Sequence, residues 1–295
     1  MAFFGRKGTF APSLCQKQNH VDGSSHPTDQ CPLPGTLARI ALCIWGTLPL
    51  AAQGGPPLRT DDPGTPGNRN WEINVASTQF WSKSAREFES PLLDINYGLG
   101  DRIQLKYEVP YSFNSDNGAP FKRGFGNSLL GVKWRFYQQS IETGWRISTY
   151  PQLELNPSDP NAPTERFLLP VEVTKIFGPV EVNFEGGYWF TTSNRRTPGE
   201  RILGLAFGHQ FNRRFEGLCE IYDDVLLGGD ARSDTFDVGG RYEFRKGLLL
   251  LFMAGHSLGK IGGQEASWIG YVGLQIQITH GPKKRRGLRG QPGNP

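Results

Sequence analysis

The chain has 295 residues, 37% of them hydrophobic and 12% aromatic, with 38 glycines and a formal charge of +4. Mean hydropathy is −0.44, and no apolar run reaches 18 residues. That excludes a transmembrane helix but not a transmembrane barrel, whose strands meet lipid only at alternate residues. So small a charge gives no ground for a nucleic-acid partner, and the aromatic and glycine content favours strands and turns over helices.

Residues 1–35 are rich in Gly, Pro, Ser and Gln, without period, and cannot bury a core. Thr36–Gln53 then reads TLARIALCIWGTLPLAAQ. Arg39, the apolar Ile40–Leu50 and the small pair Ala51-Ala52 have the layout of a secretory signal peptide; the alternative is a short buried helix. A start codon placed too far upstream would explain the prefix over 1–35. A lipoprotein anchor at Cys43 fits poorly, because Leu42 is large and the apolar run continues past it. Cys15, Cys31 and Cys43 all precede the expected cleavage, which leaves Cys219 alone. Neither a disulfide framework nor a zinc quartet follows. His20, His26, His209, His256 and His280 show no HxH or HxxxH spacing, so no metal or cofactor is expected.

Residues 54–70 (GGPPLRTDDPGTPGNRN) are too rich in Pro and Gly for a strand, and Asp61-Asp62-Pro63-Gly64 is a turn signature. From Trp71 to His280 the chain reads as about twelve strands. Trp71–Trp81 is the first, followed by a hairpin, PLLDINYGLGDRIQLKYEVPY, over Pro91–Tyr111. Its arms alternate without a break: Leu93, Ile95, Tyr97 and Leu99 against Asp94, Asn96 and Gly98, then Ile103, Leu105, Tyr107 and Val109 against Gln104, Lys106 and Glu108. A period of two places the apolar set on one face and the charged set on the other. Gly126–Tyr137, Trp145–Leu155, Phe167–Phe177, Val180–Phe190, Ile202–Phe211, Phe215–Tyr222, Thr235–Phe244, Leu248–Leu258 and Trp268–Thr279 continue the series. Pro151 and Pro170 each remove a ladder hydrogen bond from their strands. Leu248–Phe252 is apolar on both faces, as expected under a loop or plug, or where the parity is misread.

The connections separate by length. Asn114–Arg123, Asn156–Arg166, Thr191–Arg201, Asp223–Asp234 and Gly259–Ala266 are long and polar; Gly98–Arg102, Gly178-Pro179, Asn212–Arg214 and Arg245–Gly247 are tight. Alternating long and short connections gather the loops at one end and the turns at the other, as outer-membrane barrels do. Trp71 and Trp81 share a face and stand ten residues apart. On a tilted strand that is roughly 25 Å along the axis, the height between two aromatic girdles. A soluble barrel of this size fills its centre with apolar side chains, whereas here the second face carries charges of both signs. The sequence therefore predicts an all-β, antiparallel transmembrane β-barrel over 71–280. A signal peptide precedes it over 36–53, a plug or turn segment lies over 54–70, and a basic tail follows over 281–295.

With these residues in view, the chain resembles the outer-membrane porins associated with the meta-pathway of phenol degradation. The resemblance rests on RTDDPGT at Arg59–Thr65, Trp71-Glu72, PLLDINYGL at Pro91–Leu99, LKYEVP at Leu105–Pro110 and GNSLLGVK at Gly126–Lys133. It spans Pro56 to about Thr279 and implies a barrel of the twelve-strand type that passes small, often aromatic or hydrophobic, solutes. It implies no catalytic residue. The expected location is the outer membrane of a Gram-negative-type bacterium, in contact with its lipid and with the barrel assembly machinery. One departure is plain: such barrels finish on an aromatic residue, whereas this last strand ends Ile278-Thr279-His280 and a basic tail follows.

Two groups of residues are candidates for the lumen. Lys106, Glu108, Lys133, Arg135, Arg146, Glu154, Glu181, Glu185, Arg241 and Glu243 could form a selectivity constriction or hold the barrel in shape as ion pairs. Asp61 and Asp62 could fold into the mouth and pair with lumen cations, or form an Asx-turn leading into the first strand. Lys283, Lys284, Arg285, Arg286 and Arg289 of the tail could touch anionic headgroups or remain solvated. A closed structural or adhesive barrel remains open, and so does a barrel hydrolase built on His256 and Asp223-Asp224. In that last reading Ser257 cannot serve His256, because neighbours in a strand face opposite ways.

Overall fold

A computed structural model of the chain describes residues 55–116, 118–139, 144–156, 164–191, 199–227, 232–258 and 267–280. The prefix over 1–35, the segment over 36–53 expected to be a signal peptide and the tail over 281–295 lie outside the described residues, as do 157–163, 192–198, 228–231 and 259–266 of the long connections.

Every regular element among the described residues is a strand. They are β1 (Trp71–Trp81), β2 (Ala85–Leu99), β3 (Ile103–Asp116), β4 (Lys122–Phe125), β5 (Ser128–Gln138), β6 (Trp145–Thr149) and β7 (Gln152–Leu155). Then come β8 (Thr164–Phe177), β9 (Val180–Thr191), β10 (Glu200–Asn212), β11 (Phe215–Leu226), β12 (Arg232–Arg245), β13 (Leu248–Ser257) and β14 (Trp268–Ile278). Sequential neighbours pair antiparallel, and β1 pairs with β14 from Trp71↔Ile278 to Trp81↔Trp268, so the sheet closes without an edge.

The fourteen segments make twelve barrel strands. β3 pairs with β5 at one end and β4 at the other, so β4 and β5 are halves of one strand. β6 and β7 both lie between β5 and β8 and are likewise one strand, interrupted at Tyr150-Pro151. Pro151 has no N–H to donate, though its carbonyl still accepts from Val132 N at 3.0 Å. Pro170, in contrast, stays within β8 opposite Gly187.

β2 begins six residues before the hairpin arm expected from Pro91, and the cause is a register shift between Glu89 and Leu92. Below it Leu92, Asp94 and Asn96 face inward; above it the parity flips and Glu87 and Glu89 face the lumen. β1 and β2 are joined by a tight turn at Ser82–Ser84, with Ser82 N donating to Ala85 O at 2.8 Å, so the end that collects the long connections carries a short one too. At the opposite end, Asn212 Oδ1 accepts from Arg214 N and Phe215 N at 2.9 and 3.1 Å. Gly178 opens the Gly178-Pro179 turn with φ of 59°, where a side chain would be strained.

Burial is inverted relative to a soluble barrel. Glu172, Thr174, Thr235 and Asp237 are 0% exposed, while Leu105, Val132, Val238, Val272 and Leu274 are 40–52% exposed on the outer face. Two aromatic belts bound that apolar surface. Trp71, Trp145, Phe177, Phe211 and Phe244 lie at the end with both termini, and Trp81, Phe125, Phe190 and Trp268 at the other. An exterior of this kind is stable against hydrocarbon and unstable against water.

Candidate functional site

The lumen is occupied by the segment preceding β1. From Trp71 the chain turns back into the barrel, passes Gly98, reaches its apex at Arg59-Thr60 and returns to Gly55. Two wall positions admit it only because they lack a side chain. A Cβ at Gly98 would stand 1.8 Å from Gly67 O, and one at Gly204 would stand 2.3 Å from Thr60 Oγ1.

The plug is fastened by charge-assisted bonds. Glu220 of β11 accepts from Arg59 N at 2.9 Å and from Thr60 N at 2.8 Å, and Glu185 of β9 accepts from Asp61 N at 2.8 Å. Arg59 donates to Thr235, pairs with Asp237 at 3.5 Å, and lies 4.1 Å from the Tyr222 ring centre. Lys133 of β5 bonds Asp61 Oδ1 at 2.6 Å and also reaches the Asp62 carbonyl. Arg135 donates to Pro63 O at 3.1 Å, and Arg241 of β12 donates to Pro56 O at 2.9 Å and Gly55 O at 3.1 Å. Such bonds are each stronger than neutral ones, and here each also satisfies a group removed from water.

Leu58 supplies the apolar contact, packed with Ala206, Leu218 and Met253. Full burial of one leucine contributes roughly 1.5–3 kcal/mol. Leu251, fully buried, and Met253, packed on Leu58, both face inward from β13, so the second apolar face at Leu248–Phe252 is a lumen face and the strand's parity holds.

The ten predicted lumen residues all face inward, but they do not form one ring. Arg146 pairs with Glu181 at 2.8 Å near the turn end. Glu154 accepts from Asn127 at 2.6 Å near the loop end. Glu243 accepts from Gly247 N at 3.2 Å at the mouth. Lys106 bridges Glu108 at 2.9 Å and Asp94 at 3.7 Å. Lys133, Arg135, Arg241 and Glu185 bond the plug. With the plug in the centre, the cations reach the plug or a wall neighbour. Asp61 takes the pairing role, whereas Asp62 makes the turn, its Oδ1 accepting from Gly64 N at 2.6 Å.

Arg59, Glu216, Glu220 and Tyr150 are members of the site that sequence reasoning passed over. Glu216 and Glu220 carry the period-two signal of β11 and were findable from it. Tyr150 shares the inward face of Ser148 and Gln152 and was findable in the same way, whereas Arg59 precedes the strands and its partners are remote in sequence.

Three spaces remain around the plug. A cavity of about 420 Å³ lies on the loop side, with Gly55–Asp61 as its floor. Leu168, Trp189, Ile202, Tyr222, Met253 and Tyr271 give it an apolar wall, and Glu87, Glu89, Asp94 and Glu108 a carboxylate wall. A second cavity of about 250 Å³ opens at the turn side, lined by Glu72, Arg213, Arg214, Glu216, Arg241 and Glu243. Between them is a crevice of about 30 Å³ beside Asp94, Asn96, Gln104 and Lys106.

The residues of the hydrolase reading are not brought together. His256 packs on the outward Trp268 with ring centres 4.4 Å apart, while Ser257 is buried. Asp223 is held by Arg201 at 2.6 Å and Arg232 at 2.9 Å at the rim.

A closed twelve-strand barrel with a lipid-compatible exterior, a charged interior and both ends of the strand series on the turn side is the architecture of an outer-membrane β-barrel. Solved structures agree. An outer-membrane channel from Pseudomonas putida F1 is matched over 77% of this chain and 100% of its own, with 12% identity and a TM-score of 0.60. The translocator domain of the autotransporter NalP from Neisseria meningitidis is matched over 72% and 90%, with 10% identity and a TM-score of 0.51. The KdgM porin is matched over 70% and 100%, with 12% identity and a TM-score of 0.50. At these identities the likeness is one of fold. No protein-family model matches the sequence, and no curated protein matches it.

Proposed function

We propose that this protein is a passive outer-membrane channel for small solutes, narrowed from within by residues 55–70. The observation that carries the reading is the pair of cavities, about 420 and 250 Å³, on opposite sides of the plug inside one closed barrel. A structural barrel has no need of a chamber with an opening at either end. The P. putida channel and the KdgM porin share the fold and are named for conduction, whereas the NalP domain shares it and translocates, so fold alone does not choose.

The cargo we favour is aromatic or hydrophobic with a polar group. The apolar wall of the larger cavity, with Trp189, Tyr222 and Tyr271, suits such a body, and its polar wall suits the head. A link to phenol breakdown rests on the resemblance of RTDDPGT and PLLDINYGL alone. Neither an enzymatic site nor a cofactor enters this reading. The mature chain would begin between Ala52 and Gly55, at the plug's first anchored residue, after export and insertion by the barrel assembly machinery. N-terminal sequencing of membrane-extracted protein checks this; retention of Met1 contradicts it.

The channel reading is tested by swelling of liposomes carrying the purified protein, in a graded series of neutral solutes. Swelling that falls with solute size is expected. The competing reading, a closed structural barrel, rests on the crevice, which holds on the order of one water. It predicts no swelling for any solute while the plug is in place.

A further inference from the structure

We propose that solutes pass the plug along the β1–β3 wall, through a neck gated by Lys106. This rests on the channel reading and adds to it a route and a residue that sets selectivity. At its turn-side end the segment bonds β2, where Arg69 N donates to Gly98 O at 2.8 Å; beyond that its charge-assisted bonds run to β5, β9, β11 and β12, and Leu58 packs on β10, β11 and β13. The crevice lies on the other side, lined by Glu72 of β1, Asp94 and Asn96 of β2 and Gln104 and Lys106 of β3, with Lys133 of β5 at its edge. The loop-side cavity and the crevice share Gly55, Pro56, Asp61, Asp94 and Lys106, and the crevice and the turn-side cavity share Glu72. The crevice alone follows β1, β2 and β3, with the loop-side cavity above it and the turn-side cavity, against β1 and β10–β14, below it.

The neck is a ladder of polar side chains. Gln104 donates to Asn96 at 2.7 Å and to Tyr150 Oη at 3.2 Å. Asn96 and Asn74 donate to the two oxygens of Asp94 at 3.0 and 3.1 Å. Asn74 is fully buried, and its own carbonyl oxygen has no protein partner. Lys106 lies between Asp94 and Glu108, while the other cation of the crevice, Lys133, is held by Asp61 at 2.6 Å, so Lys106 is the cation that faces these two carboxylates. A side chain on four rotatable bonds can swing between these acids and open the neck, which a backbone wall cannot do. Its charge also sets which ions follow.

The test is the reversal potential of the full chain in planar bilayers under a KCl gradient, with folding checked by heat-modifiable gel migration. Lys106→Gln exposes both carboxylates and should raise the cation-to-anion permeability ratio about 5-fold, the effect of one unit charge at about 4 Å in water. Asp94→Asn with Glu108→Gln should move the ratio the other way, so the inference does not depend on one variant folding. Gln104→Cys in the neck should be blocked by a thiol-reactive sulfonate. Thr174→Cys, on the lumen face of β8 but lining none of the three spaces, should not be. A conducting protein whose ratio is unchanged in both charge variants, and which Gln104→Cys does not sensitise, overturns the neck alone. No conductance in any form, including one lacking residues 55–70, overturns the channel reading and the neck with it.

Discussion

The two sides of the lumen are built from the same kinds of residue and do opposite things. On β9–β12, Glu185, Glu220, Asp237 and Arg241 spend their hydrogen-bonding capacity on the plug's backbone and on Arg59. On β1–β3, Asp94, Asn96, Gln104 and Lys106 bond mainly to one another along the wall. The first side is a socket and the second a lining. Charge alone does not separate them. What separates them is whether the plug brings unpaired N–H and C=O groups within reach, because a buried carboxylate is stabilised by backbone donors as well as by a cation.

This contrast can be broken from either side. The largest stability effect is expected outside the lumen. Val272 lies at the centre of β14 on the lipid face, and Val272→Arg should cost roughly 2–4 kcal/mol in folding titrations into liposomes. Gln275→Arg, three residues on and facing the turn-side cavity, should cost much less. Equal losses would contradict the assignment of faces.

Next comes the socket. Glu220→Gln keeps the shape but removes the charge that receives Arg59 N and Thr60 N, and should weaken plug docking by about 1.5–3 kcal/mol. Faster hydrogen exchange at Arg59 and Thr60, with unchanged exchange in β1–β3, is the expected signature. Gly204→Val should dislodge the plug by contact, since Thr60 Oγ1 occupies the place of the new Cβ, while β10 keeps its pairing. An unchanged exchange pattern at Thr60 would show that the socket yields instead. The smallest effect belongs to the rim. Arg232, exposed at the rim, bonds Asp223 and Asp234, and Arg232→Ala should leave the same titrations unchanged.

The sequence carries the barrel plainly and the plug faintly, for a physical reason. A strand writes its two faces into every second residue, so Leu105 outside and Gln104 inside are legible without a structure. Pro151 announces the break between β6 and β7 in the same local way. The first half of β2 was hidden because the register shift after Glu89 reverses the period in mid-strand. The plug's bonds are non-local: Asp61 meets Glu185 across 124 positions, and Pro56 meets Arg241 across 185. Periodicity has nothing to say about such pairs. Asp61-Asp62 could be read as a turn or as lumen partners, and each residue took one role. The Pro- and Gly-rich segment over 54–70 and the apolar doubling at Leu248–Phe252 both hinted at an object inside, and Met253, the residue after that stretch, packs on Leu58.

The most direct measurement is single-channel conductance in planar bilayers, comparing the intact protein with one lacking residues 55–70. Two cavities on opposite sides of the plug, with a crevice of about 30 Å³ between them, predict small, stepwise conductance in the intact form. Removing the plug leaves a twelve-strand interior wider than its side chains can fill, and conductance should rise several-fold. Silence in both forms, with the barrel folded and inserted, would contradict the account.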